Sequence, residues 1–242
     1  GEATIIPGYT SESADSGWQF CCEFAEKLLG TDSSTARAMF DLYRRPNSHG
    51  VSVLQVAIEM LEANPLLTAP GEPTAIPILT PINNKDLKRI PDEIENHIAS
   101  GFRTLKVKVG WDVELDLERI SLIQSVNAGR TSIRLDANQG YSRADATQFA
   151  TSIDPDSIQL FEQPCAANDW NSNAEVAAVS NVPIMMDESI YDVADITRAA
   201  KIKGCGFVKL KLSKLTGIEH LAAGLRYIIE LGMTPVLGNG AA

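Results

Sequence analysis

An α/β barrel of the (β/α)8 type, preceded by a helical segment, is the fold this sequence predicts. Three observations predict it. Strand-like runs recur about every 25–30 residues from residue 104 onward. Amphipathic helical patterns lie between them, which implies βαβ units and a parallel sheet. The first 65 or so residues carry helical patterns with no strand among them. Seven strands in a row suit a barrel better than a doubly wound sheet. Neither G-x-G-x-x-G nor a Walker motif is present, so the nucleotide-binding alternative lacks its phosphate loop.

In chain order, "SADSGWQFCCEFAEKLLG", "DSSTARAMFDLYRRP" and "GVSVLQVAIEMLEAN" read as three helices. Ser or Asp caps precede the first two, and Pro46 follows the second. The segment "NPLLTAPGEPT" (64–74) reads as a linker. This divides the chain into a mainly helical domain with its linker over 1–70 and a barrel domain over 71–242. The barrel strands are "AIPILTPI" (75–82), "TLKVKVG" (104–110), "SIRLDAN" (132–138), "SIQLFEQP" (157–164), "VPIMMDES" (182–189), "GFVKLKLS" (206–213) and "MTPVLGNG" (233–240). No strand is expected before residue 70.

Composition narrows the function. The chain has 242 residues and 44% hydrophobic content, enough for a substantial core. A net charge of −10 and a pI near 4.8 argue against a nucleic-acid binder and a polybasic membrane anchor. No apolar run approaches the roughly 18 residues of a membrane span. Four cysteines, without zinc spacing, read as buried thiols of a reducing cytoplasm.

Barrels of this kind place their chemistry at the C-terminal ends of the strands. Those ends carry Lys106 and Lys108, then Asp136, Glu162, Asp187, Lys211 and the Asn239 region. The three carboxylates end consecutive strands at spacings of 26 and 25 residues. Together they would repel one another unless a cation sits between them. Oxygen ligands without His or Cys suit a hard ion, Mg²⁺ before Mn²⁺. The expected arrangement brings all three within about 5 Å of one point. Each carboxylate could instead cap the helix that follows it, but three such coincidences in a row are a poorer explanation.

Lys106 and Lys108 are two apart and share a strand face. Pointing outward they would bury two charges between strand and helix, which is costly. Pointing inward they can meet an anionic substrate and the carboxylates. Lys209 and Lys211 repeat the pattern, and the outermost inward position, Lys211, is assigned to the site. His49, His97 and His220 fall in helices or helix approaches and read as packing or surface residues.

The joint pattern is K-x-K on the second barrel strand, "LDAN", "FEQP" and "DES" on the next three, and Lys on the sixth. It resembles the enolase superfamily, and within it the muconate lactonizing enzyme subgroup of the mandelate racemase/muconate lactonizing enzyme family. The resemblance implies that Asp136, Glu162 and Asp187 are metal ligands, with Asn138 and Glu188 in supporting positions. It implies that Lys108 and Lys211 are acid/base groups on opposite faces of the substrate. Lys106 then helps to hold the substrate carboxylate. Family members have an N-terminal β-hairpin region and an eighth strand and helix, so the resemblance makes the helical segment a partial capping domain and the barrel one truncated after its seventh strand. The substrate-binding residues lie outside what the motifs identify.

A proton α to a carboxylate is very weakly acidic, because removing it makes a dianionic enediolate. A bound divalent ion can stabilise that charge. The base must be neutral near pH 7, and a neighbouring cation favours the neutral form of a lysine. The function expected is therefore metal-dependent α-proton abstraction from a small-molecule carboxylate, racemising or epimerising an amino-acid derivative or dipeptide. Dehydration and lactonizing cycloisomerisation use the same constellation and stay open. A non-catalytic metal-binding barrel is the remaining alternative, although paired bases have no use in it. A cytoplasmic protein, homo-oligomeric at full length, is expected.

Overall fold

The computed structural model describes residues 1–6, 10, 12–68, 71–72 and 75–238. The elements run α1 (Ala14–Leu28), α2 (Ser33–Met39), α3 (Ser48–Leu61), β1 (Thr80–Ile82), α4 (Ile90–Ala99), β2 (Thr104–Lys108), α5 (Val113–Asn127), β3 (Ser132–Asp136) and α6 (Arg143–Ser152). They continue as β4 (Ile158–Glu162), α7 (Trp170–Val179), β5 (Ile184–Met186), α8 (Val193–Ala199), β6 (Cys205–Lys211), α9 (Leu212–Leu215), α10 (Ile218–Glu230) and β7 (Thr234–Gly238). The strands are hydrogen-bonded in chain order, β1 to β7, and the ladders from β1 to β6 are parallel. Before Thr80 the described residues hold no strand beyond one bridge residue, Thr10. Among the described residues no helix is long and apolar enough to cross a membrane.

Two compact units emerge from the packing. One takes in residues 1–73, 190–196 and 209–242, the other residues 74–189 and 197–208.

In the first unit, Ser13 caps α1 in a reciprocal capping box with Ser16, and Asp32 caps α2 through the N–H groups of Ser34 and Thr35. Phe20, Phe24, Phe40 and Val51 form its apolar centre, with the rings of Phe20 and Phe24 stacked at 4.3 Å. The second helix stops at Met39, and residues 40–47 are turns rather than the helix expected through "FDLYRRP". Phe40 still reaches the core from that turn, so its apolar spacing imitates a longer helix.

Asn47 provides no side-chain cap for α3; Glu12 takes that place from 37 residues away. Its carboxylate accepts the N–H groups of His49 (2.8 Å) and Gly50 (3.1 Å) and meets His49 Nδ1 at 3.0 Å. Burial pushes the Glu12 carboxyl up, but the His49 side chain and the two N–H donors outweigh it and hold the group below 4.5. A depressed folded value contributes stability above the unfolded value and loses it as pH falls through the folded one. Glu12→Gln is therefore expected to cost about 2 kcal/mol at neutral pH in urea unfolding. The gap from wild type should narrow as the pH falls below 4.5; a gap independent of pH would remove the charge from this account.

The second unit packs helices against the parallel strands. Leu105, Val107, Ile133, Leu135, Leu160 and Phe161 are fully buried, as are Ile94, Ile120, Ile123, Phe149 and Val176 on the helices. Only Thr80–Ile82 of the first expected strand pairs, with Leu105 to Val107 of β2. Ile76 and Ile78 are exposed, so their apolar character does not mark a buried strand. The cysteines are all free, but only Cys165 is buried and Cys22 is exposed, which corrects the expectation of four buried thiols.

Candidate active site

Register builds the site. Parallel pairing sets Lys108 beside Asp136, and Asp136 beside Glu162. Paired residues of adjacent strands point to the same side of a sheet, so these three side chains form one row at the strand ends. Lys106, two residues earlier on β2, shares that side.

Both lysines turn onto the carboxylates. Lys106 Nζ lies 2.7 Å from Asp136 Oδ2 and donates to Glu162 Oε2 at 3.1 Å. Lys108 Nζ donates to the same Asp136 oxygen at 2.7 Å and to Asn138 Oδ1. Asn138 passes the network on, its Nδ2 donating to Glu188 Oε1 at 2.8 Å. Asp136, Glu162 and Asp187 are each 1% exposed. Both lysines thus meet buried carboxylates, which balance their charge.

The electrostatics follow from this packing. Burial works to raise the Asp136 carboxyl, but the ammonium groups of Lys106 and Lys108 prevail and hold it low. Glu188 shifts the other way. Burial raises it, the charges of Asp187 and Asp136 add to that, and the Asn138 hydrogen bond only partly opposes them.

Among the described residues, no three His, Cys, Asp or Glu side chains are gathered as an ion cage, so the expected convergence on one point is not seen. Both lysines instead sit on one Asp136 oxygen. The chemistry of the donor set nevertheless fits a hard divalent cation. Two buried carboxylates, Asp136 and Glu162, meet the two ammonium groups, and the charges of Asp187 and Asp136 both act on Glu188. Glu188 Oε2 is buried with no hydrogen-bond donor. All the ligand atoms on offer are oxygens.

Lys211 ends β6 in the first unit, where it stands at the N-cap of α9. The Asn239 region lies outside the described residues. His49 is buried against Glu12, His97 stands edge-on to Phe102, and His220 belongs to α10 in the first unit.

Gln163, the third residue of "FEQP", has a role that the motif does not reveal. It is fully buried, with φ +38°. Its Oε1 accepts the N–H groups of Asp187 (3.1 Å) and Ser189 (3.2 Å), and its Nε2 donates to Ser189 Oγ at 2.9 Å. One amide, on the residue that follows β4, therefore fixes the backbone of Asp187 just past the end of β5. A polar residue directly after a strand-end carboxylate was the only signal in the sequence.

The loops after β2 and β3 interlock behind the lysine. Gly110 has φ +110°, and a Cβ there would meet Ala137 O at 2.7 Å and Gly140 Cα at 3.2 Å. Gly110→Ala is expected to destabilise the fold by about 2–3 kcal/mol in denaturant unfolding, through strain and forced separation of the two loops. An effect below about 0.5 kcal/mol would mean that the loops separate freely.

Comparison with known proteins bears on the same region. The family model described as "Enolase C-terminal domain-like" matches residues 89–240. The D-Ala-D/L-Ala epimerase of Cytophaga hutchinsonii is 36% identical over 141 residues, covering 58% of this chain and 38% of that protein. The L-amino acid-D/L-Glu epimerase of Francisella philomiragia is 27% identical over 230 residues, covering 88% of this chain and 64% of that one. The chain thus spans less than two thirds of the length of either curated relative. A crystal structure of a dipeptide epimerase from Cytophaga hutchinsonii, complexed with Mg and the dipeptide D-Ala-L-Val, superposes with a TM-score of 0.87. Its identity is 27%, over 99% of this chain and 68% of that one.

Proposed function

Since the chain belongs to the Enolase C-terminal domain-like family, we propose that it abstracts the α-proton of a carboxylate substrate and returns it to either face, epimerising a dipeptide or a similar amino-acid derivative. The observation that carries this reading is the buried row at the ends of β2, β3 and β4. There two lysines meet two buried carboxylates, Asp136 and Glu162. A structural ion site needs no lysine at its carboxylates, whereas proton transfer does. The curated relatives, both epimerases of peptide or amino-acid substrates, support the same reaction class.

Asp136, Glu162 and Asp187 are the residues that would hold Mg²⁺, with Asn138 and Glu188 supporting them. Bound there, a divalent cation supplies positive charge for the negative charge that develops on the substrate carboxylate. Lys108 moves the proton on one face, and Asn138 and Asp136 orient its Nζ. Lys106 shares Asp136 Oδ2 with Lys108 and also binds Glu162, and it lends positive charge to the substrate carboxylate. Lys211 carries the second proton-transfer role through its match to the family pattern.

The test is NMR of dipeptides and N-acylamino acids in D₂O with Mg²⁺. Deuterium should enter the α-position, and both epimers should appear from either one. Failure of the Mg²⁺-loaded protein to exchange any of these α-protons would end this reading. Exchange followed by loss of a β-substituent would replace epimerisation with elimination.

A further inference from the structure

Two charged residues of α5, Asp116 and Arg119, belong to no ion pair among the described residues, and both are spent on backbone groups around Lys108. Arg119 Nη1 donates to the Lys108 carbonyl at 3.0 Å. Its Nη2 donates to the carbonyls of Ile82 (3.1 Å) and Asn84 (3.3 Å), at and just past the end of β1. Asp116, one turn earlier on the same helix, is 5% exposed. Its Oδ2 accepts the N–H groups of Gly110 (2.9 Å) and Trp111 (3.2 Å) and the Tyr141 hydroxyl at 2.6 Å.

The residues bracketed are 108 to 111. A cation holds the carbonyl that leaves Lys108, and a carboxylate holds the N–H groups two and three residues later. Each bond to a charged partner is stronger than its neutral counterpart. A partly buried guanidinium whose Nη groups bond only carbonyls, and whose Nε is buried without an acceptor among the described residues, also bears a desolvation cost that no carboxylate in contact offsets. Ordinary helix packing would be served by an apolar residue at that position. The arrangement instead fixes the peptide planes on the C-terminal side of Lys108, where the ladder with β3 ends. A lysine side chain has a long flexible stem, so a firmly held Cα fixes the point from which Nζ reaches Asp136 and Asn138.

We infer that Arg119 and Asp116 are positioning residues for Lys108: through its backbone they aim one of the two proton-transfer groups and leave the other unaffected. This rests on the two-lysine reading proposed above. It predicts an asymmetry that general loss of stability would not produce. Arg119→Met should slow α-deuterium exchange about 30- to 100-fold from the epimer whose exchange Lys108→Ala abolishes. Exchange from the other epimer should stay within about threefold of wild type. Arg119→Lys keeps the charge but offers a point donor in place of a planar fork, and it should lose about tenfold on that same epimer. Asp116→Asn should act in the same direction as Arg119→Met.

The folded state of each variant is checked by its thermal transition, and Arg119→Lys serves if Arg119→Met does not fold. Equal loss from both epimers, loss on the epimer that Lys211→Ala impairs, or no loss would each overturn the inference. A wild-type protein that exchanges neither epimer would overturn the functional reading instead. The clamp is then decided without activity, on protein whose lysines are ¹³C-dimethylated. The Lys108 resonance, assigned by its absence in Lys108→Arg, should move in Arg119→Lys, and an unmoved resonance counts against the clamp.

Discussion

Lys108→Ala is expected to abolish epimerisation while sparing part of the exchange chemistry. The loss should be about 10³-fold or more, within the range for removing a general acid/base group. Lys108 Nζ is held by Asp136 and Asn138, so alanine removes the base and leaves its two partners in place. Exchange from the epimer served by Lys211 should persist, because one proton-transfer group still reaches that face. Lys211→Ala should give the mirror pattern, with exchange surviving only from the opposite epimer. Separate measurement of both epimers by NMR in D₂O distinguishes this from inactivation. If both variants kept full epimerase activity, the two-lysine mechanism would be wrong. A lyase or cycloisomerase would break the mirror symmetry, one lysine being essential and the other needed less.

Replacement of Asp187 should produce a different defect. Asp187→Ala is expected to suppress exchange from both epimers by about 10²–10³-fold, since the developing negative charge loses its stabilisation on either route. Mg²⁺ affinity, read by calorimetry, should fall by more than about a hundredfold. Stability separates this role from a structural one. The Asp187 charge works with burial to raise the Glu188 carboxyl, a sign of crowded like charges. In the presence of a chelator, Asp187→Asn should therefore unfold at the same or a higher temperature than wild type. Added Mg²⁺ should raise the wild-type transition and leave that of the variant in place, because only a ligand that binds the folded state stabilises it. A transition equally raised in both proteins would place the ion elsewhere.

The alternation of strands and helices was legible in the sequence because both periods are local. Six of the seven strands lie within the runs read from it; β6 begins one residue early, at Cys205. The helices before residue 65 were legible for the same reason, down to the Ser13 and Asp32 caps. Their limits were less legible. Met39 ends a helix that apolar spacing carried further, and "AIPILTPI" pairs only at its last three residues. Apolar spacing reports which residues can be buried, and burial from a turn looks the same as burial from a helix.

The strand-end positions of the candidate site were also legible, because three carboxylates about 25 residues apart follow the strand repeat. Parallel register then puts Lys108, Asp136 and Glu162 in one row. What only the tertiary structure decided is how that row is held. Asp136 and Glu162 are bonded to two ammonium groups, and among the described residues no three carboxylates are gathered as an ion cage. Gln163 fixes the backbone of Asp187, Glu12 caps a helix 37 residues away, and Asp116 and Arg119 bracket the peptide after Lys108. Each of these is a side chain bonded to a backbone group of a different element. Such a bond depends on where two elements meet, and neither hydrophobic period nor residue spacing records that meeting.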